Sequence, residues 1–355
     1  MKKVLMGALA IVAGATMAIS TTSFAATRNH IEIVGSSTVF PFATVVAERF
    51  GKTTRYKTPK IESTGSGGGM KLFCAGVGVQ HPDITNASRR MKKSEYKKCQ
   101  ANGIKDVVEV KIGYDGIVIG SSVKKAPMKL SLKQIFLATA KMVPAKDGSE
   151  TLVPNFYKKW NQIDSSLPNT KIEILGPPPT SGTRDAFAEV AMEGGCKKFG
   201  FIKAMKKSDK KKYKKTCRTV REDGAYIEAG ENDNLIVQKL DANPDQLGIF
   251  GFSFLDQNSD KIQGSIVNGV SPEFEAIADG SYPISRSLWF YIKKAHVATI
   301  PGIKGYVKEF MADRASGDEG YLTEKGLIPA PAKERAFFVK NATQLIPMTG
   351  NEPLK

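Results

Sequence analysis

The sequence predicts an α/β protein whose sheet is mainly parallel and carries helices on both faces. Three observations support this class. Short runs rich in Ile and Val alternate with segments of helical apolar spacing along most of the chain. Loops rich in Gly, Ser and Thr repeatedly follow a strand and precede a helix, and no internal repeat or low-complexity segment breaks the alternation. In such folds, ligands bind at the carboxyl ends of the strands.

The N-terminus has the features of a secretory signal peptide, which we predict to span residues 1–25. Lys2 and Lys3 precede an apolar run from about Val4 to Ile19, and small residues surround the position after Ala25. We therefore expect cleavage after Ala25 and a periplasmic protein. No later apolar run reaches the roughly 18 residues of a membrane span.

The mature chain opens with three units of strand, loop and helix. Strands are predicted at residues 31–34, 60–63 and 83–88, and helices at 42–50, 70–75 and 94–103. The first two loops have the sequences GSST at 35–38 and TGSGGG at 64–69. Because these loops end parallel strands, we expect them to meet at one edge of the sheet.

Two apolar stretches are candidate crossings between domains. Strands are predicted at 106–112 and 116–120, and a longer one at 282–292 leads the chain back toward its first half. We place the crossings near residues 111–115 and 282–287. Further elements are predicted at 235–240, 247–250 and 303–311, followed by a tail that contains several prolines.

The loop after the strand predicted at 171–175 suits an anion with several oxygens. Ser181, Gly182 and Thr183 offer hydroxyls and backbone N–H groups at the start of a helix predicted over 186–192. Arg184 adds a permanently charged, forked donor. Together with the two earlier loops, this predicts a site for a small oxyanion.

The spacing of other residues disfavours common catalytic motifs. The only Gly-Lys-Thr sequence lacks the first glycine of a nucleotide-binding P-loop. Ser66 and Ser181 lack the glycine two residues earlier that a hydrolase nucleophile requires. No C-x-x-C pair occurs and the three histidines are scattered, so neither a metal site nor a cofactor is predicted.

Four cysteines fit an oxidising compartment, in which an even number can form disulfides. Three pairings are possible. Proximity in sequence favours Cys74 with Cys99 and Cys196 with Cys217, each closing a short loop. Free buried thiols are the alternative.

The chain is strongly basic, with a formal net charge of +17 that falls to +15 when Lys2 and Lys3 leave with the signal peptide. Much of the excess lies in residues 203–215, whose sequence is KAMKKSDKKKYKK. We interpret this segment as a solvated lysine-rich face. Nucleic acid is not a predicted partner, because aromatic residues hardly interleave with the lysines.

Five motifs taken together resemble the periplasmic phosphate-binding proteins of phosphate ABC transporters. They are GSSTVFP at 35–41, ESTGSGGG at 62–69, DITNASR at 83–89, YDGI at 114–117 and TSGTRD at 180–185. Their order and spacing follow the family over nearly the whole mature chain. Each motif alone is weak, but the ordered set is specific.

The resemblance implies a two-lobed Venus-flytrap fold of type II with two hinge crossings. Lobe I would comprise residues 26–112 plus 286–355, and lobe II residues 113–285. It further implies a monomeric, non-enzymatic receptor that closes on inorganic phosphate and delivers it to an inner-membrane ABC permease. The alternatives are a receptor for sulfate or arsenate, an exported phosphoesterase, and a basic surface protein that binds polyanions.

The resemblance also implies a ligand set divided between the lobes. Carried over to this sequence, lobe I would supply Ser37, Thr38, Val39 and Ser66. Lobe II would supply Ser181, Gly182, Thr183 and Arg184.

This chain departs from the family at the aspartate that accepts a hydrogen bond from protonated phosphate. The corresponding position falls near Ser88 and Arg89, and an arginine cannot accept. Our hypothesis is that Ser88 and Arg89 contact the anion directly and that another carboxylate is the acceptor. The candidates are Asp115, Asp185 and Asp233.

Overall fold

The computed structural model of the protein describes residues 28–230 and 233–354, with no side chain described at positions 233 and 234. The predicted signal peptide, residues 1–25, lies outside the described residues. Within the described ranges, no helix is both long and apolar enough to cross a membrane.

The strands of the described residues lie mostly at the predicted places. In chain order they are β1 (Glu32–Gly35), β2 (Lys60–Ser63), β3 (Ile84–Ala87), β4 (Val107–Ser122), β5 (Lys129–Leu130), β6 (Met142–Pro144), β7 (Leu152–Pro154), β8 (Ile174–Gly176), β9 (Tyr226–Glu228), β10 (Leu247–Gly251), β11 (Ile262–Gly264), β12 (Ile266–Val267) and β13 (Ser285–Lys293).

The helices are interleaved with these strands. They are α1 (Phe40–Thr53), α2 (Gly65–Phe73), α3 (Lys93–Ala101), α4 (Leu132–Thr139), α5 (Gly182–Phe187), α6 (Glu193–Cys196), α7 (Gly200–Ser208), α8 (Lys210–Arg218), α9 (Asp233–Ala242), α10 (Phe252–Gln257), α11 (Phe274–Ala278), α12 (Ile303–Phe310), α13 (Asp313–Ser316) and α14 (Ala332–Gln344). Short 3-10 turns cover Trp160–Gln162, Lys294–His296 and Thr323–Lys325, and a π-helical turn, Ala188–Met192, joins α5 to α6.

Two long strands, β4 and β13, run through the middle of a sheet with the order β2-β1-β3-β13-β4-β10-β8-β9, and β11 also pairs with β4. On one side, β1 is parallel to β2 and β3. On the other, β8 is parallel to β9 and β10. β4 is antiparallel to both β13 and β10. The result is an α/β fold as predicted, but the sheet is mixed rather than mainly parallel, because β4 and β13 form an antiparallel centre between two sets of parallel strands.

Two large apolar cores lie on either side of a point near the middle of β4. The first draws on residues between 31 and 112 and between 288 and 348. The second draws on residues between 114 and 284, with Ile328 and Ala330 added from the C-terminal segment. β4 and β13 are therefore the strands that connect the two cores, and the predicted crossings at 111–115 and 282–287 fall on or beside them.

The predicted pairing of the cysteines is confirmed. One disulfide joins Cys74, at the end of α2, to Cys99 in α3. The other joins Cys196 in α6 to Cys217 in α8. No free cysteine remains among the described residues.

The structure corrects two predicted elements. β4 is one continuous strand where two were expected, because β13 pairs with it on both sides of Gly113 and a register shift at Leu288/Trp289 absorbs the irregularity. α2 begins at Gly65 rather than Met70, so the glycine run is helical. A Cβ at Gly69 would lie 2.5 Å from the Cα of Gly35, which explains why this helix needs glycine where it packs against β1.

Candidate ligand-binding cleft

A cleft of about 490 Å³ lies between the two halves of the molecule. It gathers several residues predicted for the site: Ser37, Thr38, Ser181, Gly182, Thr183 and Asp115. The loops approach each other closely, since a methyl group on Gly182 would lie 3.1 Å from the carbonyl oxygen of Ser37. Loops more than a hundred residues apart in sequence therefore form a single small site.

The first wall of the cleft is the turn between β1 and α1. The Oγ of Ser36 accepts a hydrogen bond from the backbone N–H of Val39 at 3.4 Å, and the Ser36 carbonyl accepts from Phe40 at 3.0 Å. These bonds fix the turn so that Ser37 and Thr38 line the cleft. No side chain caps the first turn of α1, where the Phe40 N–H already has a partner and Pro41 has no N–H to offer, so the hydroxyls of Ser37 and Thr38 are the donors on this wall.

The second wall is the loop between β8 and α5. Its three prolines stiffen the chain, and the backbone N–H of Ser181 donates to the carbonyl of Pro178 at 3.0 Å. Ser181 is the N-cap residue of α5, and its Oγ accepts from the Thr183 N–H at 3.2 Å. Its hydroxyl proton remains able to donate toward the cleft.

Arg184 turns away from the cleft toward its own loop. Its Nη1 donates to the carbonyl of Pro177 at 3.0 Å, and its guanidinium lies 4.4 Å from the ring centroid of Tyr226. It is not among the residues that line the cavity. Arg184 therefore stabilises the proline turn that carries Ser181.

Three other predicted residues do not line the cavity: Ser66 and Ser88 bind one another, and Arg89 binds α3. The Oγ of Ser66 accepts from the Ser88 N–H at 3.0 Å and lies 3.1 Å from the Ser88 Oγ. The guanidinium of Arg89 forms a two-pronged ion pair with Glu95, at 2.7 and 2.9 Å. Glu95 in turn accepts from the backbone N–H of Lys92 and so anchors the start of α3.

A buried ion pair from the two central strands lies beside the cleft. Arg286 of β13 stands opposite Asp115 of β4 in the antiparallel register. Its Nε donates to the Asp115 Oδ2 at 3.1 Å, and the two side chains are only 7% and 10% exposed. Arg286 also donates through Nη2 to the Oγ1 of Thr38, and its Nη1 lies 3.5 Å from Glu189.

The ion pair sets the electrostatics of the cleft. Burial raises the pKa of Asp115 above its usual range, while the charge and hydrogen bond of Arg286 oppose that rise. The carboxylate is therefore a strong hydrogen-bond acceptor within reach of the cavity that it lines. A permanent cation stands beside it.

Arg286 was not predicted as a site residue. The available signal was a cation within the apolar run 282–292, on a strand already identified as a crossing. Of the other predicted acceptors, Asp185 is exposed on α5 and does not line the cavity, and the side chain of Asp233 lies outside the described residues. Among the described residues, no cluster of His, Cys, Asp or Glu could hold a metal ion.

The sequence matches a protein family and several known proteins. Residues 20–314 match the model of the PBP superfamily domain. The chain is 30% identical over 301 residues to phosphate-binding protein PstS of Staphylococcus epidermidis, covering 81% of this chain and 77% of the relative. It is 28% identical over 315 residues to protein SphX of Synechococcus elongatus, covering 87% and 80%.

The fold also matches a solved structure. A crystal structure of a possible phosphate binding protein from Planctomyces limnophilus superposes with a TM-score of 0.71 at 24% identity, covering 90% of this chain and all of that one. This likeness confirms the two-lobed fold. With the family match over most of its length, the chain belongs to the PBP superfamily, among the relatives of PstS and SphX.

Proposed function

We propose that the protein is a non-enzymatic, extracytoplasmic receptor that binds inorganic phosphate between its lobes and delivers it to an inner-membrane ABC permease. The main support for this function is that serine and threonine hydroxyls from two loops meet in one cleft beside the Arg286–Asp115 pair. The name of the PstS relative supports phosphate as the ligand. A monomer suffices, because one chain supplies both walls of the site.

A tetrahedral anion needs a separate donor for each oxygen. Ser37 and Thr38 offer hydroxyl donors from one wall, and Ser181 and Thr183 offer hydroxyl donors from the other. Arg286 supplies the permanent charge that compensates the dehydrated anion. Because neither wall alone provides the full donor set, the ligand favours the closed arrangement.

We further propose that Asp115 is the selectivity residue. Phosphate carries a proton near neutral pH and can donate to this carboxylate, whereas sulfate would bring two unprotonated oxygens face to face. Arsenate, protonated like phosphate, would compete with it. Asp115 fits this role better than exposed Asp185, because it is buried and lines the cavity.

In this proposal Arg286 takes the charged role that the sequence assigned to Arg89 and Arg184. Both of those side chains already have partners outside the cleft, Glu95 for one and the Pro177 carbonyl for the other. Their contribution to binding is therefore to hold the surrounding loops. Ser66 and Ser88 likewise stabilise the adjoining turn.

Isothermal titration of the mature, ligand-stripped protein with phosphate and separately with sulfate tests this function. We expect one-to-one phosphate binding at micromolar affinity or better, on the order of −8 kcal/mol, and no heat from sulfate. Asp115→Asn should reduce the discrimination at least about tenfold, since an amide can donate to sulfate. Equal binding of both anions by the wild type would contradict the role of Asp115, and silence from both would contradict the receptor function.

A further inference from the structure

A helical hairpin formed by α7 and α8, residues 200–218, carries a dense positive charge that the cleft does not use. Eight of the 13 residues at positions 203–215 are lysines, and every one is exposed. The one acidic residue of this segment, Asp209, accepts from the Lys212 backbone N–H and so caps α8. The hairpin therefore presents a nearly uncompensated cationic face.

The hairpin is a fixed structural unit rather than a loose loop. The disulfide between Cys196 and Cys217 ties its base to α6. Ile202 and Tyr213 point inward and belong to the core of lobe II. At the end of α8, Arg218 pairs with Glu193 at 2.6 Å. These contacts hold the two short helices in place, and the helices carry the lysines on their outer side.

One end of the hairpin is linked to the cleft region. Arg218, the last residue of α8, donates to Glu189, and the other carboxylate oxygen of Glu189 lies 3.5 Å from the Nη1 of Arg286. Arg286 in turn contacts Asp115 and Thr38, which line the cavity. Two side-chain contacts therefore connect the base of the hairpin to the cleft wall.

The residue types indicate how this face binds. Lysine ammonium groups are strongly hydrated point charges, and dehydrated protein interfaces are depleted in lysine and enriched in arginine and aromatic residues. Positions 203–215 contain no arginine, and their one aromatic residue, Tyr213, is buried. This composition suits a hydrated electrostatic contact with an extended anionic surface.

We propose that the α7–α8 hairpin docks the protein on the anionic lipid headgroups of a membrane. Each helix of nine residues is about 13 Å long, so the lysines spread over an area that spans several headgroups. Clustered lysines next to an anionic bilayer are attracted additively, within about one Debye length. No apolar side chain needs to insert.

Docking through this hairpin orients the molecule. Because the base of the hairpin is linked to the cleft wall through Glu189 and Arg286, docking through the lysines brings the cleft region toward the bilayer. For a receptor that delivers its ligand to a membrane permease, this would confine its search to the membrane surface. That consequence rests on the proposed function, whereas the docking itself does not.

Co-sedimentation with vesicles tests the docking. The mature protein is mixed at low ionic strength with vesicles of phosphatidylcholine and phosphatidylglycerol, and with vesicles of phosphatidylcholine alone. One variant changes four hairpin lysines to glutamine: Lys203, Lys207, Lys211 and Lys214. A matched control removes the same charge from four exposed lysines elsewhere: Lys304, Lys308, Lys333 and Lys340.

We expect binding only to the anionic vesicles, with the hairpin variant weakened at least about tenfold and the control variant nearly unchanged. Phosphate titration of each variant, done separately, reports whether the cleft still works. Equal losses of vesicle binding in the two variants would show that only the net charge of the protein matters, and this would overturn the proposal. So would absence of vesicle binding, or hairpin-dependent binding of long-chain polyphosphate or nucleic acid without vesicle binding.

Discussion

Arg286 and Asp115 form a buried pair of opposite charges beside the cleft. Two opposite charges, each at least nine-tenths buried, face one another across paired strands. Burying such a pair costs desolvation energy that the mutual attraction offsets only in part. The pair contacts Thr38 of the cleft wall, so a bound anion would share the guanidinium with Asp115.

Replacing Arg286 should impair binding far more than replacing Arg89. Arg286→Gln removes the buried cation beside the cavity and leaves Asp115 without its charged partner, so we expect phosphate affinity to fall at least about hundredfold, or about 3 kcal/mol. Arg89→Gln removes an ion pair outside the cavity and should cost less than about threefold. Calorimetric titration of both variants with phosphate measures the two affinities. A larger loss of affinity from Arg89→Gln than from Arg286→Gln would support the hypothesis that Arg89 contacts the anion.

Lys293 should make stability depend on alkaline pH. Its side chain is fully buried and donates to the carbonyl of Gly76 at 2.6 Å. Burial is the main cause that lowers its pKa to about 8, with Asp83 opposing and Arg28 assisting. Between about pH 8 and about pH 10 the unfolded chain then binds the proton that the folded protein has lost, so stability from this group rises with pH.

The measurement is urea unfolding of the wild type and Lys293→Met at several pH values in that window. The free energy of unfolding of the wild type, relative to the variant, should increase by about 1 kcal/mol per pH unit. The Lys293→Met variant keeps the other titrating groups, so subtracting its pH dependence leaves the contribution of Lys293. A difference that stays constant with pH would show that Lys293 keeps an ordinary pKa.

At the scale of elements, α2 depends on close approach to the sheet. A Cβ at Gly69 would lie 2.6 Å from the Thr85 Oγ1 as well as 2.5 Å from Gly35, whereas one at Gly67 meets nothing within 4 Å. Gly69→Ala should therefore destabilise the protein by about 2–4 kcal/mol, and Gly67→Ala should be neutral or slightly stabilising. Chemical denaturation of both variants checks this, and equal effects would contradict the packing of α2.

Elements with clear local patterns could be predicted from the sequence, and those set by tertiary contacts could not. β1, β2 and α1 follow apolar periodicity, and all three appear near the expected residues. The break expected within β4 is absent, because β13 pairs along its length despite Gly113. Helix α14 was not predicted, because prolines flank it in the C-terminal segment, where we expected a tail.

The candidate site shows the same division. Loop residues such as Ser37 and Ser181 could be found from Gly, Ser and Thr motifs between strands and helices. Arg286 could not, because its role depends on the antiparallel register that sets it opposite Asp115. The sequence alone also does not show that the guanidinium of Arg89, predicted at the anion, pairs with Glu95 six residues later.

At the scale of the whole molecule, the positive charge should steer anions toward the cleft. The sequence carries a formal net charge of +17, and the buried cation Arg286 lies beside the cleft. We expect the phosphate association rate to fall at least about tenfold between low and high salt, with little change in the dissociation rate. Stopped-flow tryptophan fluorescence can follow binding; an association rate insensitive to ionic strength would contradict steering.

The most direct test of the central claim is a crystal structure of the protein grown with phosphate. We expect one anion between the Ser37–Thr38 turn and the Ser181–Thr183 loop, with Arg286 donating to one oxygen and Asp115 accepting from another. Density for phosphate on Arg89, Ser88 and Ser66, with the cleft beside Arg286 empty, would contradict it.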